Sequence, residues 1–405
     1  MNNNMKFPGL EDVNIEKIEQ VDDRVALYIS LPVKPHPCPA CNQYTTKVHD
    51  YRIRKIKHLK FFERLSILFY RHRRYKCECG KRFSEEATFV KKYQRFSKEW
   101  NQTARIRSIK AKTFKDAAQS LGTSSATIMR RFKEAAKEHL KTTKRLPKRI
   151  AIDEYKGDTN AGKFQLIIAD ADTHEPIDIL PNRKKDTIKE YLFRYGAKVE
   201  LVVTDMNSSF KSAIREALGR PVIVADRFHF CRYIYWAIDE VRRKVQKDWH
   251  AYDRKKCKRM RHVLYKREEK LSDRDLFYVK RYTGFSNELY QAYELKNAYC
   301  RWFDWAKEQT HENAGEVKKK LYEFYQLVEA SGIYAFQKVV KTFKNWETEI
   351  LNSFVFDYSN GFLEGINNTT KVMKRTAYGY RKFEHMSAKV LLNHRLKDQL
   401  NHLVM

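Results

Sequence analysis

The chain has 405 residues, 42% of them apolar, with 81 Lys and Arg against 50 Asp and Glu and a formal charge of +31. At one domain per roughly 150 residues, this length excludes a single compact body and implies two to four units. The charge exceeds what solubility requires and runs along the whole chain among 24 Tyr and 24 Phe, which favours folded surfaces for a nucleic acid over a disordered basic arm.

No apolar run approaches the roughly 18 residues that span a bilayer, and Met1 to Leu10 lacks the order of a secretion signal. The expected location is the cytoplasm, with no membrane partner. In that reducing compartment seven cysteines are not a disulfide framework. Four stand in two close pairs, which points to a metal; Cys231, Cys257 and Cys300 stand alone, which points to packing.

Residues 1–95 read as a β-rich zinc-ribbon domain. A strand over Arg24 to Leu31 ends in a turn at Pro32, Pro35 and Pro37 that delivers Cys38-Pro39-Ala40-Cys41. Apolar and basic residues then alternate from Leu65 to Tyr75, as on a strand with one wet face, ahead of Cys77-Glu78-Cys79-Gly80. Tetrahedral zinc needs four such ligands, and two tight turns supply them with little backbone strain. The Cys-x-Cys pair is tighter than usual, which leaves open whether Cys79 completes the set; His49, His58 and His72 are the other donors nearby.

Residues 96–147 read as a helix-turn-helix. Thr113 caps a short helix stopped by Gly122, and a second helix starts near Ser124 with Ile128, Phe132 and Ala135 at helical spacing. Ser125, Thr127, Arg130 and Arg131 are expected outward, on the helix that enters the major groove; the plainer reading is a helical hairpin with a solvated basic face. Lys141 to Arg149, broken by Pro147, is the expected linker.

Residues 148–230 alternate strand and helix. Strands are expected over Arg149 to Tyr155, Phe164 to Asp170, Pro176 to Pro181, Val199 to Thr204 and Val222 to Ala225, with helices over Asp186 to Tyr195 and Ser208 to Leu218. This β-β-β-α-β-α-β order matches a ribonuclease-H-like mixed sheet. Asp153 follows Ile150-Ala151-Ile152 and Asp205 follows Leu201-Val202-Val203-Thr204, so both carboxylates end buried strands and share a crevice if those strands are neighbours. Carboxylates crowded there repel, and hard divalent cations, Mg²⁺ or Mn²⁺, are the natural compensation. Either aspartate alone is equally a strand-end cap.

Residues 231–355 carry Trp, Tyr, Lys and Glu at helical spacing with almost no strand signal, and read as a helical insertion. Residues 356–405 then resume the catalytic domain. There Ser359 or Asn360 caps a helix whose Glu364, Asn367, Lys371 and Arg375 form a polar stripe opposite Phe362, Ile366 and Met373. A carboxylate beside cations suits a metal site that handles phosphate, against the plainer reading of a solvated helix face.

With these residues in view, the sequence resembles the DDE transposases of bacterial insertion sequences, specifically the ISL-three group. The likeness runs through the zinc ribbon, the helix-turn-helix, Ile152-Asp153-Glu154, Thr204-Asp205-Met206, Ala225-Asp226-Arg227-Phe228-His229, and Ser359 through Lys374-Arg375-Thr376-Ala377-Tyr378-Gly379-Tyr380. It implies a catalytic triad of Asp153, Asp205 and Glu364 holding two Mg²⁺ or Mn²⁺ ions, and an Asp-x-x-His element on Asp226 and His229. His229, Asn367, Lys371, Lys374 and Arg375 are then candidate DNA contacts, one structural zinc is implied, and cutting two element ends together implies a homodimer on double-stranded DNA, both terminal repeats and target. A catalytically dead DNA-binding regulator and a structure-specific nuclease or resolvase of the same fold are the competing functions.

Overall fold

The computed structural model describes residues 7, 9–140 and 145–397, and divides into two compact units, Met1–Lys141 with Ala388–Met405, and Thr142–Ser387. Part of the expected linker, 141–144, lies outside the described residues; its end does not, and Leu146 is buried in the second unit's core.

In the first unit, β1(Asn14–Val21), β2(Arg24–Ser30), β5(Val48–Lys57), β6(Leu65–Lys76) and β7(Arg82–Ser84) form one sheet, ordered β1-β2-β6-β5 with β7 on the far end of β6. Two-residue strands β3(His36–Pro37) and β4(Tyr44–Thr45) pair separately to make the first cysteine knuckle. Leu27, Ile29, Ile56, Leu68 and Tyr70 alternate inward to form the core beneath the sheet. Three helices follow: α1(Lys98–Lys110), α2(Phe114–Ser120) and α3(Ser125–His139).

The second unit holds a five-stranded sheet of β8(Arg149–Thr159), β9(Gly162–Asp170), β10(Pro176–Leu180), β11(Leu201–Thr204) and β12(Val222–Ala225), ordered β10-β9-β8-β11-β12. The pairings β10/β9 and β9/β8 are antiparallel; β8/β11 and β11/β12 are parallel. Leu201 to Thr204 is buried at every position, as a strand covered on both faces must be, which is why it shows no alternation. Two helices, α4(Lys185–Tyr195) and α5(Ser208–Leu218), cover one face, placing Ile188, Leu192, Phe210 and Ile214 against Ile150, Ile152 and Val202. Each such side chain contributes roughly 1.5–3 kcal/mol on burial, so this layer fixes the strands that carry the acids.

After β12 the chain is helical: α6(Arg227–Val245), α7(Ala251–Arg259), α8(Asp273–Gly284), α9(Asn287–Lys307), α10(Ala314–Ser331), α11(Tyr334–Asn345) and α12(Glu347–Val355). Cys257 and Cys300 are buried in its own aromatic-rich core, with Cys231 packed against it. The last of these helices, α12, returns to β12, where the Asn352 amide donates to Ile223 O at 2.8 Å and Arg227 donates to Ser353 O at 2.9 Å. Then come α13(Gly361–Thr376), packed on β8, and α14(Phe383–Arg395). Residues from Ala388 onward differ from the expected boundary: Leu392 and Leu396 pack on Ile109, Phe132 and Ala135 of the first unit rather than completing the sheet domain.

Candidate active site and zinc centre

The knuckle geometry follows from short-range backbone bonds. Cys38 N–H donates to Gln43 O and Asn42 N–H returns to Cys38 O, both at 2.9 Å, while Gly80, in the left-handed region at φ 85°, closes the second turn onto Cys77 O at 3.0 Å. The four sulfurs converge, Cys38 Sγ at 3.6 Å from Cys79 and Cys41 Sγ at 3.5 Å from Cys77. Four thiolates about 2.3 Å from a tetrahedral zinc would stand roughly 3.8 Å apart, so the set has nearly the dimensions of a Cys₄ zinc site. Burial opposes ionisation of Cys38, but the backbone N–H groups of Ala40 and Cys41 bring its thiol down to about 6, prepared as a thiolate ligand. Cys79 completes the cluster. The histidines do not enter it: His58 Nδ1 meets Ser97 Oγ and His72 Nε2 meets Glu85 O.

On the recognition helix α3, Arg130 is exposed and Ser125 half-buried. Thr127 differs from expectation: it is buried, its N–H capped by Ser124 and its hydroxyl 3.0 Å from Ser124 Oγ, so it builds the helix start instead of facing outward. Arg131 is half-buried and paired with Glu134 at 2.7 Å.

Parallel register builds the carboxylate cluster. Ile152 pairs with Thr204 and Thr204 with Ala225, so the next residues, Asp153, Asp205 and Asp226, stand side by side on three adjacent strands. Asp226 carries the same signal as the other two, a carboxylate directly after a buried apolar run, and belongs to the cluster as fully as they do. His229, one turn into α6, sets Nδ1 at 2.8 Å from Asp226 Oδ2 and 2.9 Å from Asp205 Oδ1. Burial opposes its charge, but these two carboxylates more than offset that and raise it to about 9. The ring therefore lies between two acids. A single N–H satisfies only Asp226, and Asp205 Oδ1 stays buried without a hydrogen bond.

Asp153 is the most perturbed acid. Burial and the neighbouring Asp205 charge push its carboxyl up to about 7, against the Glu154 N–H at 2.7 Å that favours the ionised form. Its other oxygen accepts from Asn367 Nδ2 at 2.6 Å. This corrects the predicted stripe on α13: Asn367 is buried against the acid instead of facing DNA, and the packed side is Leu363, Ile366 and Thr370. Asn360 occupies the cap position without capping; its amide N–H donates to Ile152 O at 3.1 Å. Glu364 lies between these two anchors on the same helical face, exposed, and outside the group of donors that converge at Asp205, Asp226 and His229. Lys374 is held by Lys156 O at 2.8 Å and Asp158 at 3.0 Å, whereas Lys371 and Arg375 are exposed.

An Asp205 oxygen buried without a hydrogen bond and the crowding of Asp153 against Asp205 and Asp226 fit a hard divalent cation, with the His229 nitrogen among the converging donors. A cysteine-held ribbon, a helix-turn-helix and a carboxylate cluster at the ends of parallel strands define a DNA-binding enzyme class. Residues 150–390 match the family model described as a transposase, 34–79 the zinc finger of transposases IS204/IS1001/IS1096/IS1165, and 85–136 the helix-turn-helix domain of transposase family ISL3. The chain belongs to the ISL3 transposase family, and is an insertion-sequence transposase carrying a structural zinc ribbon.

Over 412 residues it is 24% identical to the transposase for insertion sequence element IS1001 of Bordetella parapertussis, covering 94% of this chain and 95% of that one. An 81-residue stretch is 33% identical to an ATP-dependent protease of Lactococcus lactis subsp. lactis, but covers 19% of this chain and 26% of that protein, too little to describe the whole. No helix among the described residues is long and apolar enough to cross a membrane.

Proposed function

We propose that Asp153, Asp205 and Glu364 hold two Mg²⁺ or Mn²⁺ ions in a ribonuclease-H-like domain, and that the enzyme cuts and rejoins DNA there while its zinc ribbon and helix-turn-helix grip the terminal inverted repeats. The observation that carries this reading is the pairing of Asp153, raised to about 7, with Asp205 and its unfilled oxygen on adjacent parallel strands. The strand order, three antiparallel strands extended by two parallel ones, supports the fold assignment.

Ions held there would supply nucleophile activation and stabilisation of the leaving oxygen in an in-line displacement. The protein's own residues do the rest. Asp153 and Asp205 would present their carboxyl oxygens, Asn360 and Asn367 anchor the helix that carries Glu364, and His229 balances the charge of Asp205 and Asp226. Lys371 and Arg375 supply exposed cations for the phosphate backbone. A homodimer holding two element ends is part of the same proposal.

Glu364→Gln tests it. The variant should bind terminal-repeat DNA as the wild type does and lose Mg²⁺-dependent cleavage; normal cleavage would sink the assignment.

A further inference from the structure

We infer that Phe228, Arg232 and Trp236 form a stacking platform on α6 that takes unpaired bases of the DNA strand beside the cleavage site. The three residues recur at i, i+4 and i+8, one stripe along the helix whose first turn carries His229. The opposite face of α6 is committed to the core through Phe230, Ile234, Ala237, Ile238 and Val241. On the stripe, Phe228 is 61% exposed and Trp236 51% exposed, a large apolar area to leave in water.

The rings do not stand alone. The Arg232 guanidinium lies 4.7 Å from the Trp236 ring centroid and 5.9 Å from that of Phe228, and Tyr233 holds Trp236 edge-on at 5.4 Å. Arg232 Nε is buried with no hydrogen-bond partner among the described residues. Two exposed rings interleaved with a cation are the chemistry that binds single-stranded nucleic acid: faces for bases, charge for phosphate.

Position selects the occupant. The Phe228 ring lies 5.8 Å, edge to face, from His229, which itself contacts Asp205 and Asp226. Eight residues of helix rise about 12 Å, the span of three or four nucleotides at roughly 3.4 Å each. A strand leaving the carboxylate cluster along α6 therefore meets one ring, a cation and a second ring in succession. Intact duplex offers no free base faces, so the platform discriminates an opened or single-stranded end from paired DNA.

The inference rests on the proposed site of cleavage, so it is tested without cleavage, in the full-length Glu364→Gln protein. Its probes are a blunt duplex of the element's end and the same duplex with a three-nucleotide single-stranded tail. The parent protein should bind the tailed end about 10- to 100-fold more tightly, with quenched tryptophan fluorescence. The double variant Phe228→Ala/Trp236→Ala should lose that preference while blunt-duplex affinity changes less than about twofold, since the helix-turn-helix holds the duplex. Phe228→Ala alone, removing an exposed ring, keeps the test available should the double variant fail to fold, and Trp236→Tyr should retain most of the preference.

An unchanged preference for the tail in Phe228→Ala and in the double variant overturns the platform. So does a shift in self-association with unaltered tail binding, which would assign the stripe to a second copy of the chain. Failure of the carboxylate reading would appear instead in cleavage by the Glu364→Gln protein.

Discussion

Replacing His229 with asparagine tests whether the imidazolium is the cation that allows Asp153, Asp205 and Asp226 to share one crevice. Asparagine keeps a donor near the Nδ1 position and removes the charge. Burial works against the protonated ring, yet contacts at 2.9 and 2.8 Å to Asp205 and Asp226 raise it from 6.5 to about 9. Because the folded value lies above the unfolded one, the folded protein binds the extra proton. The stabilisation is therefore complete below about pH 6.5 and is lost as pH rises through about 9. At about 1.4 kcal/mol for each tenfold, it amounts to about 3 kcal/mol. With roughly 2–4 °C per kcal/mol for a unit of this size, the metal-free wild type should melt about 6–12 °C above the variant at pH 6. The gap should close by about pH 9.5. The assay is thermal melting in EDTA across that range, repeated with Mg²⁺, which should narrow the gap by taking over the cation's place. Melting curves of the variant that run parallel to those of the wild type at every pH would refute the reasoning.

Two further predictions follow from single contacts. Asn367→Ala removes a 2.6 Å hydrogen bond to a charged acceptor, worth about 1.5–3 kcal/mol, and should slow single-turnover cleavage about 10- to 100-fold with terminal-DNA binding retained. An unchanged cleavage rate would show that Asp153 needs no such support. Cys79→Ser should drop zinc, measured by dye release, from one equivalent to well below it and lower the melting temperature of the ribbon; full retention would place the fourth ligand elsewhere.

Much of the architecture is legible in the residues because burial leaves a strong mark. Ser208–Leu218 and Val222–Ala225 fall where periodicity puts them. The acid-after-apolar-run pattern marks all three clustered aspartates, Asp226 after Val222–Ala225 included. What the pattern hides has physical causes. Asn14–Val21 and Val48–Lys57 are largely exposed, so charged residues occupy both faces and no alternation survives. Thr127 reads as a surface hydroxyl because the cap that buries it depends on where Ser124 turns the chain. Asn360 and Asn367 look like weak helix formers with no purpose, since their partners, Ile152 O and Asp153, lie far away in sequence.

The same long-range bonds explain how the helix that carries Glu364, remote along the chain, is fixed against β8. The helical insertion leaves from Arg227 and returns at Ser353, and its two ends are bound to each other and to β12, through Arg227 to Ser353 O and Asn352 to Ile223 O. Once those ends are fixed, the entropic cost of the intervening residues grows only slowly with their number. The insertion thus behaves as a folded loop closed on one edge strand. The position of Glu364 is set separately, by α13. Its anchors at Asn360 and Asn367 are seven residues apart, about 10 Å of helix, and both bind β8 at or beside Asp153. Glu364 lies four residues after one anchor and three before the other, so rotation of the helix would break at least one of the two bonds. Its side chain nevertheless remains in solvent. On the proposed reading, Asp153 and Asp205, half-buried and fixed by strand register, and Glu364, exposed and fixed only by its helix, are the three carboxylates that a divalent ion would draw together.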